Sequence, residues 1–446
     1  MGRTYPAAPT GNFLLGNMRD FQRDPMGFLL DAFHTYGDLF SFRIGPNRIF
    51  VVSRAELIQD VLVKQASKIR KADFNRGLLS RFLGQGILTS DGDFHRSQRR
   101  LVQPAFHSQR IQNYANVMVR YAQDMMDSWQ PGQHLNIADE MMRLTMYIVS
   151  KTLFDSEVGG DGNRAGEAIA ILQGLTVEDF KAGFMVPMWV PTARNGRIRA
   201  STRQLDEVVL RFIADRRASG EDRGDLLSML LLAQDEDDGR TMSDQQVRDE
   251  AATLFAAGHE TTSNALTWTW YLLSQNPAAE AKLHAELDRV LAGRSPLLAD
   301  LENLPYTEMV IKEALRLYPP AWVLMIRTPR EPLALDGYTI NPGEWIFVAP
   351  YVTHRNPAYF PDPETFEPER FSPEREAEIP RYAYFPFGGG PRVCIGNSFA
   401  LMEARLILAT VAQRYQFAVD PGYEIVPQPE ITLSIQGGLP GTLSAR

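Results

Sequence analysis

A single cysteine, Cys394, stands among the 446 residues, so no intramolecular disulfide can form. The same scarcity excludes an iron–sulfur cluster held by four cysteines. The seven histidines are scattered without the spacing of a ligand pair, which removes a conventional zinc site. An excess of positive charge is missing too. Lys plus Arg number 46 against 54 Asp plus Glu, and the net charge of -8 gives no global attraction to nucleic acid or to an anionic membrane. The amino terminus, with Tyr5, Pro6, Pro9, Gly11 and Gly16, has no apolar run of the kind a secretory signal needs, and a cytoplasmic location is expected. The longest charge-free run, from Thr261 to just before Glu280, carries Ser263, Asn264, Ser274, Gln275 and Asn276, which suits a buried helix better than a membrane span. No Gly/Ser-rich linker, repeat or low-complexity tract divides the chain, so residues 1–446 read as one domain.

What is present is a core-forming composition, 44% hydrophobic, sufficient to surround a cofactor. Leu39 to Ile44 and Arg48 to Val52 are β-rich runs separated by Gly45, Pro46 and Asn47, a hairpin signal. From about Arg54 to Gln275 the pattern is helical, with breaks at Gly84 to Gly92, Pro131-Gly132, Val158 to Gly162, Pro187 to Pro191 and Asp235 to Thr241. Ser243 followed by Gln246 makes a capping box, and a helical pattern runs from there to Asn276 before Pro277. Such a helix is about 48 Å long and crosses a whole domain. Further on, hairpin signals fall at Asp336-Gly337 and at Asn341-Pro342-Gly343, and Asn397 to Gln413 read as an Ala/Leu-rich helix.

Four groups of residues carry chemistry. Cys394 ends the loop Phe387-Gly388-Gly389-Gly390-Pro391-Arg392-Val393-Cys394-Ile395-Gly396, just before a helix. A thiolate there would gain from backbone N–H donors and from the positive end of the helix dipole, whereas an isolated cysteine is otherwise a small buried hydrophobe. Within the long helix, Ala257-Gly258-His259-Glu260-Thr261-Thr262 interrupts an apolar face with small and hydroxyl residues. Ser and Thr hydroxyls bond the carbonyl one turn back and loosen a helix locally. His259 is read as a hydrogen-bonded core residue. Glu313 and Arg316 lie three apart on one helical face, and His95 and Arg99 lie four apart on another.

The loop from Phe387 to Gly396 resembles the haem-binding loop of the cytochrome P-450 family, with phenylalanine, glycine, arginine, cysteine and the following glycine at matching positions, and the resemblance extends over nearly the whole chain. It implies a mainly α cytochrome P-450 fold with a small β-rich lobe and a haem b (iron protoporphyrin IX) buried between the long central helix and the cysteine loop. By the same resemblance Cys394 is the iron ligand and Phe387 and Arg392 contact the cofactor, Arg392 at a propionate. His95, Arg99 and Arg327 match further propionate contacts, and Glu260 and Thr261 match the acid–threonine pair that delivers protons to bound dioxygen. Glu313 and Arg316 match a structural triad completed by Arg370 of Pro368-Glu369-Arg370-Phe371. Arg96 and Arg100 read as a solvated basic face, or with Arg110 as a docking patch for an acidic electron donor.

The resemblance also places substrate contacts in Lys71 to Thr89, Leu175 to Trp189, the centre of the long helix, Ala321 to Met325 and Leu433 to Gly437. Phe180, Phe184, Met185, Met188 and Trp189 favour a lipophilic substrate such as a fatty acid, terpenoid or steroid. The expected activity is hydroxylation with dioxygen and two electrons. No dinucleotide glycine motif follows a strand, so a ferredoxin- or flavodoxin-type donor with its reductase is the expected partner. A peroxide-using or otherwise non-monooxygenase member of the fold, or a haem-thiolate sensor, is the alternative, and the intact Glu260-Thr261 pair speaks against both.

Overall fold

The computed structural model describes residues 5–106, 112–156, 161–182, 186–234 and 239–446. The chain forms two compact units, one comprising the residues up to Arg76 together with Lys312–Cys394, the other Gly77–Ile311 together with Ile395–Arg446.

The first unit holds the sheet. Strands Leu39–Ile44 and Asn47–Val52 pair antiparallel around Gly45, which takes φ +55°, so the second strand begins one residue earlier than its β-rich run suggests. Asn47–Val52 pairs in parallel with Trp345–Val348, and Arg327–Pro329 and Ile69–Lys71 complete five strands. Phe50, Val51 and Val52 are fully buried, because both faces of this strand are covered. The Asp336-Gly337 signal is a two-residue turn, both residues at positive φ, joining Leu333–Leu335 to Tyr338–Ile340. Asn341-Pro342-Gly343 behaves differently from expectation. It joins no hairpin, but hands the chain from that two-stranded ribbon to Trp345–Val348 in the larger sheet.

The second unit is helical. Ala115–Met126, Ile137–Phe154, Asp161–Ala182, Ala193–Ser219, Asp244–Gln275, Pro277–Leu291 and Asn397–Ala412 are its principal helices. The capping box is present: the Gln246 amide donates to Ser243 Oγ at 3.3 Å and the Ser243 amide donates to Gln246 Oε1 at 2.8 Å. The 32-residue helix that follows stops at Gln275, and Pro277 opens the next helix at a position where its missing N–H costs nothing. Its core positions include Phe255, Leu266, Trp268 and Trp270, all buried. Two three-residue strands, Ile69–Lys71 and His134–Asn136, lie in the stretch expected to be helical, each too short to show a period and each fixed by a strand distant in sequence. Among the described residues no helix is long and apolar enough to cross a membrane.

Candidate functional site

In the first unit the loop from Phe387 to Cys394 is shaped by glycine. Gly388 and Gly390 sit at φ +72° and +64°, and a Cβ on Gly390 would lie 1.9 Å from the Leu62 carbonyl oxygen, so no other residue fits there. The loop closes on itself: the Cys394 amide donates to the Phe387 carbonyl at 2.9 Å and the Val393 amide to that of Gly390 at 3.1 Å. Cys394 is exposed, and Phe387, Arg392 and Arg327 are partly so. Arg327 lies on its short strand, with Nη1 donating to the Met325 carbonyl at 3.0 Å. Upstream, the Phe385 amide donates to Nε2 of His354 at 3.0 Å. Burial and then the Arg316 charge push the pKa of this fully buried imidazole down to about 3, which keeps it neutral and able to accept.

The loop's approach is anchored by an ion cluster in the same unit. Arg316, with no solvent exposure, grips Glu313 through two bonds of 2.7 and 2.8 Å and donates to the carbonyls of His354, Pro363 and Thr365 at 2.9, 2.7 and 3.1 Å. Arg370 Nε lies 3.3 Å from Glu313 Oε1, and the Glu367 amide donates to that oxygen at 2.9 Å. The expected triad of Glu313, Arg316 and Arg370 is therefore formed, and every charge in it has a counter-charge.

In the second unit one stretch of the long helix breaks the burial pattern. Residues 247–256 and 262–270 are buried throughout, yet Ala257 is exposed and Gly258, Glu260 and Thr261 are partly exposed. Thr261 Oγ1 donates to the Ala257 carbonyl at 2.8 Å and Thr262 Oγ1 to that of Gly258 at 3.3 Å, the back-bonds expected of this segment. The helix nonetheless continues without interruption, so these hydroxyls share the carbonyls rather than break the ladder. His259 points the other way. Its Nδ1 lies 2.7 Å from the Phe255 carbonyl, Thr145 Oγ1 donates to the His259 backbone carbonyl at 2.9 Å, and burial lowers the pKa of the imidazole. The Glu260 carboxyl does not meet the Thr261 hydroxyl. It accepts from Gln173 Nε2 at one oxygen and from Thr432 Oγ1, at 2.5 Å, at the other, and burial raises its pKa against the pull of both donors.

On the helix Gly92–Val102, His95 is buried and Arg99 partly exposed, while Arg96 and Arg100 face solvent, Arg96 in an ion pair with Asp93. Of the other expected contacts, Met188 packs against the buried core and Trp189 is exposed. Arg110, Phe184, Met185 and the side chain of Phe180 lie outside the described residues.

Sequence reading missed three features. Glu403, the only carboxylate on the apolar helix Asn397–Ala412, is buried; the Thr262 hydroxyl hydrogen-bonds it, its Oε2 has no partner, and burial pushes its pKa up to about 8. A lone acid on a largely apolar helix was the available signal. Asp249 and Glu250, near the start of the long helix, accept from the amides of Gln85 and Ile87 at 2.7 and 2.9 Å and hold that loop. Asp179 takes Arg81 at 2.6 Å and Arg194 at 3.0 Å, tying together the ends of three helices. Nothing local in the sequence pairs these residues.

The donors suit a haem. Among the described residues no group of three or more His, Cys, Asp or Glu is arranged to hold a bare metal ion. Within the first unit, one thiol on a glycine-shaped loop with Arg392 and Arg327 as cationic side chains is the donor set that a dianionic, thiolate-ligated group requires.

Comparison with known proteins agrees. The family model described as Cytochrome P450 matches residues 6–439. Among curated relatives, cyclooctatin synthase of Streptomyces melanosporofaciens is 41% identical over 441 residues, spanning 96% of this chain and 94% of that one. Cyclooctat-9-en-7-ol 5-monooxygenase of the same organism is 38% identical, over 94% of this chain and 91% of that one. Pentalenene oxygenase of Streptomyces avermitilis is 33% identical, over 94% and 93%. Among solved structures, a cytochrome P450DA heme domain superposes with a TM-score of 0.90 at 25% identity, covering 100% of this chain and 99% of that one.

Proposed function

The chain belongs to the cytochrome P450 family and is a haem b monooxygenase, and on that premise we propose that it hydroxylates a terpenoid-type lipophile, with Cys394 as the thiolate ligand of the iron. The glycine-shaped loop carries this reading, because it presents the chain's one thiol exposed, on a backbone pinned through its own amide to Phe387. Arg392, Arg327, His95 and Arg99 supply the positive partners of the propionates, and Phe387 packs against the cofactor. A thiolate-ligated haem supplies the activation of dioxygen and the electron push for O–O cleavage. Thr261 and Glu260 hold and pass the protons that this cleavage consumes.

Among lipophilic substrates, terpenoids come first because relatives of 33–41% identity are named for cyclooctatin, cyclooctat-9-en-7-ol and pentalenene. The electrons come one at a time from a ferredoxin- or flavodoxin-type donor and its reductase in the cytoplasm, with the exposed Arg96 and Arg100 as part of the docking face. The test is the reduced-plus-CO difference spectrum. A strongly red-shifted Soret band that Cys394→His abolishes is the expected result, and survival of that band in the variant sinks the ligand assignment. A panel of cyclic terpenes and their alcohols, scored by the low-to-high-spin shift and then by product, tests the substrate class against fatty acids and steroids.

A further inference from the structure

Glu260 is held from two sides by groups of different hydrogen-bonding capacity. Gln173, from the helix Asp161–Ala182, donates an amide hydrogen to Oε2. Thr432, just before the strand Leu433–Ile435, donates its hydroxyl hydrogen to Oε1 at 2.5 Å. Asn264, one turn beyond Glu260 on the long helix, donates from Nδ2 to Thr432 Oγ1 at 3.0 Å. An amide NH₂ can only donate, so Gln173 leaves Oε2 an acceptor in every state, whereas a hydroxyl can both give and take. Asn264 fixes the direction of the chain: with its hydrogen on Oγ1, the Thr432 hydrogen is free to point at the carboxylate.

We infer that Gln173 and Thr432 are positioning residues for Glu260, and that Thr432 is the partner through which the carboxyl takes up and releases its proton at Oε1 without moving. While Glu260 is ionised, Thr432 donates to Oε1. When a proton sits on Oε1, that O–H donates to Thr432 Oγ1, whose second lone pair already takes Asn264, and the Thr432 hydrogen turns away. One proton enters or leaves, and nothing is oxidised or reduced. The surroundings keep both states within reach. The charge acting on Glu260 is Glu430, a like charge on the same hairpin, and no cation is among its described partners; the neighbouring His259 ring faces the Phe255 carbonyl and burial favours its neutral form. Burial then favours the acid, and the two donors offset part of that.

The inference rests on the proposed proton-passing role of Glu260, and the test separates the two. In the ferric holoenzyme, infrared difference spectra against Glu260→Gln follow the carboxylic acid C=O band as pH is raised. Thr432→Val removes the donor to the carboxylate, so the midpoint rises by about 0.7 pH unit, the worth of one hydrogen bond, and the band shifts because the acid loses its acceptor. Thr432→Ser restores both. Gln173→Leu raises the midpoint but leaves the O–H acceptor in place. In turnover, product per NAD(P)H falls about five-fold in Thr432→Val and recovers in Thr432→Ser. An unmoved midpoint in Thr432→Val, or valine and serine variants that behave alike, overturns the inference. Wild-type product yield in Glu260→Gln overturns instead the proton-passing role on which it rests.

Discussion

Replacing Glu403 with glutamine should make the protein's stability less sensitive to pH, in a direction and by an amount that follow from its burial. The carboxyl lies inside the second unit, hydrogen-bonded by Thr262 on one side and without a partner at Oε2, and its pKa is pushed up to about 8 from a reference of 4.5. In the unfolded chain the same group ionises near its reference value. Between these two values the native state holds a proton that the unfolded state has lost, so raising the pH favours unfolding. The stability contributed by the protonated form is present in full below about pH 4.5, is lost progressively as pH rises, and is gone above about 8. The slope where only the native state is protonated is about 1.36 kcal/mol per pH unit, so moving from about pH 6 to about pH 7.5 costs about 2 kcal/mol from this one group. Glutamine has nearly the same shape, keeps a partner for the Thr262 hydroxyl and does not titrate. Urea unfolding of both proteins at both pH values, read by the fluorescence of the buried Trp268 and Trp270, gives a double difference in which the other titrating groups cancel. Glu403→Gln should gain about 2 kcal/mol on wild type across that interval. A double difference within about 0.5 kcal/mol of zero, or of opposite sign, refutes the argument.

Two further outcomes follow from the geometry. Thr261→Ala should keep haem and an unchanged CO spectrum but divert electrons to hydrogen peroxide, lowering product per NAD(P)H by up to about a hundred-fold; an unchanged ratio counts against the proton-passing role. Arg316→Ala leaves Glu313 with only Arg370 at 3.3 Å as a cation and strips the carbonyls of His354, Pro363 and Thr365 of this donor. The expected loss is about 3–5 kcal/mol, a large part of a domain's usual 5–15, read as lost haem content and early thermal unfolding. Wild-type haem loading and melting would mean the cluster is dispensable.

Much of this was legible from local pattern. The capping box of Ser243 and Gln246, the Asp336-Gly337 turn and the glycines before Cys394 each declare their geometry within a few residues, because one backbone conformation satisfies them. Glu313 and Arg316 were legible for the same reason, as neighbours on one helical face. The strands Ile69–Lys71 and His134–Asn136 were not, since three residues carry no period and their partners lie far along the chain. The grip of Gln173 and Thr432 on Glu260 was hidden more deeply. Positions 173, 260 and 432 share no spacing rule, and only the packing of a helix and a hairpin against the long helix brings them together.

Three helical glutamates show what that packing decides. Glu313, Glu260 and Glu403 begin as the same side chain on a helix, and burial alone pushes each toward the neutral acid. Glu313 is answered with two guanidiniums and a backbone amide, partners that serve a carboxylate and cannot accept a hydrogen from an acid. Such a site locks one protonation state, which suits a group that must tie a coil in place. Glu260 is answered with an amide and a hydroxyl, and Glu403 with a hydroxyl, so neither carboxyl is tied to a cation and each has a partner that tolerates both states. A permanent charge would serve anchoring and defeat proton transfer. The choice of partner, more than the depth of burial, therefore separates the carboxyl that holds the fold from those able to exchange a proton.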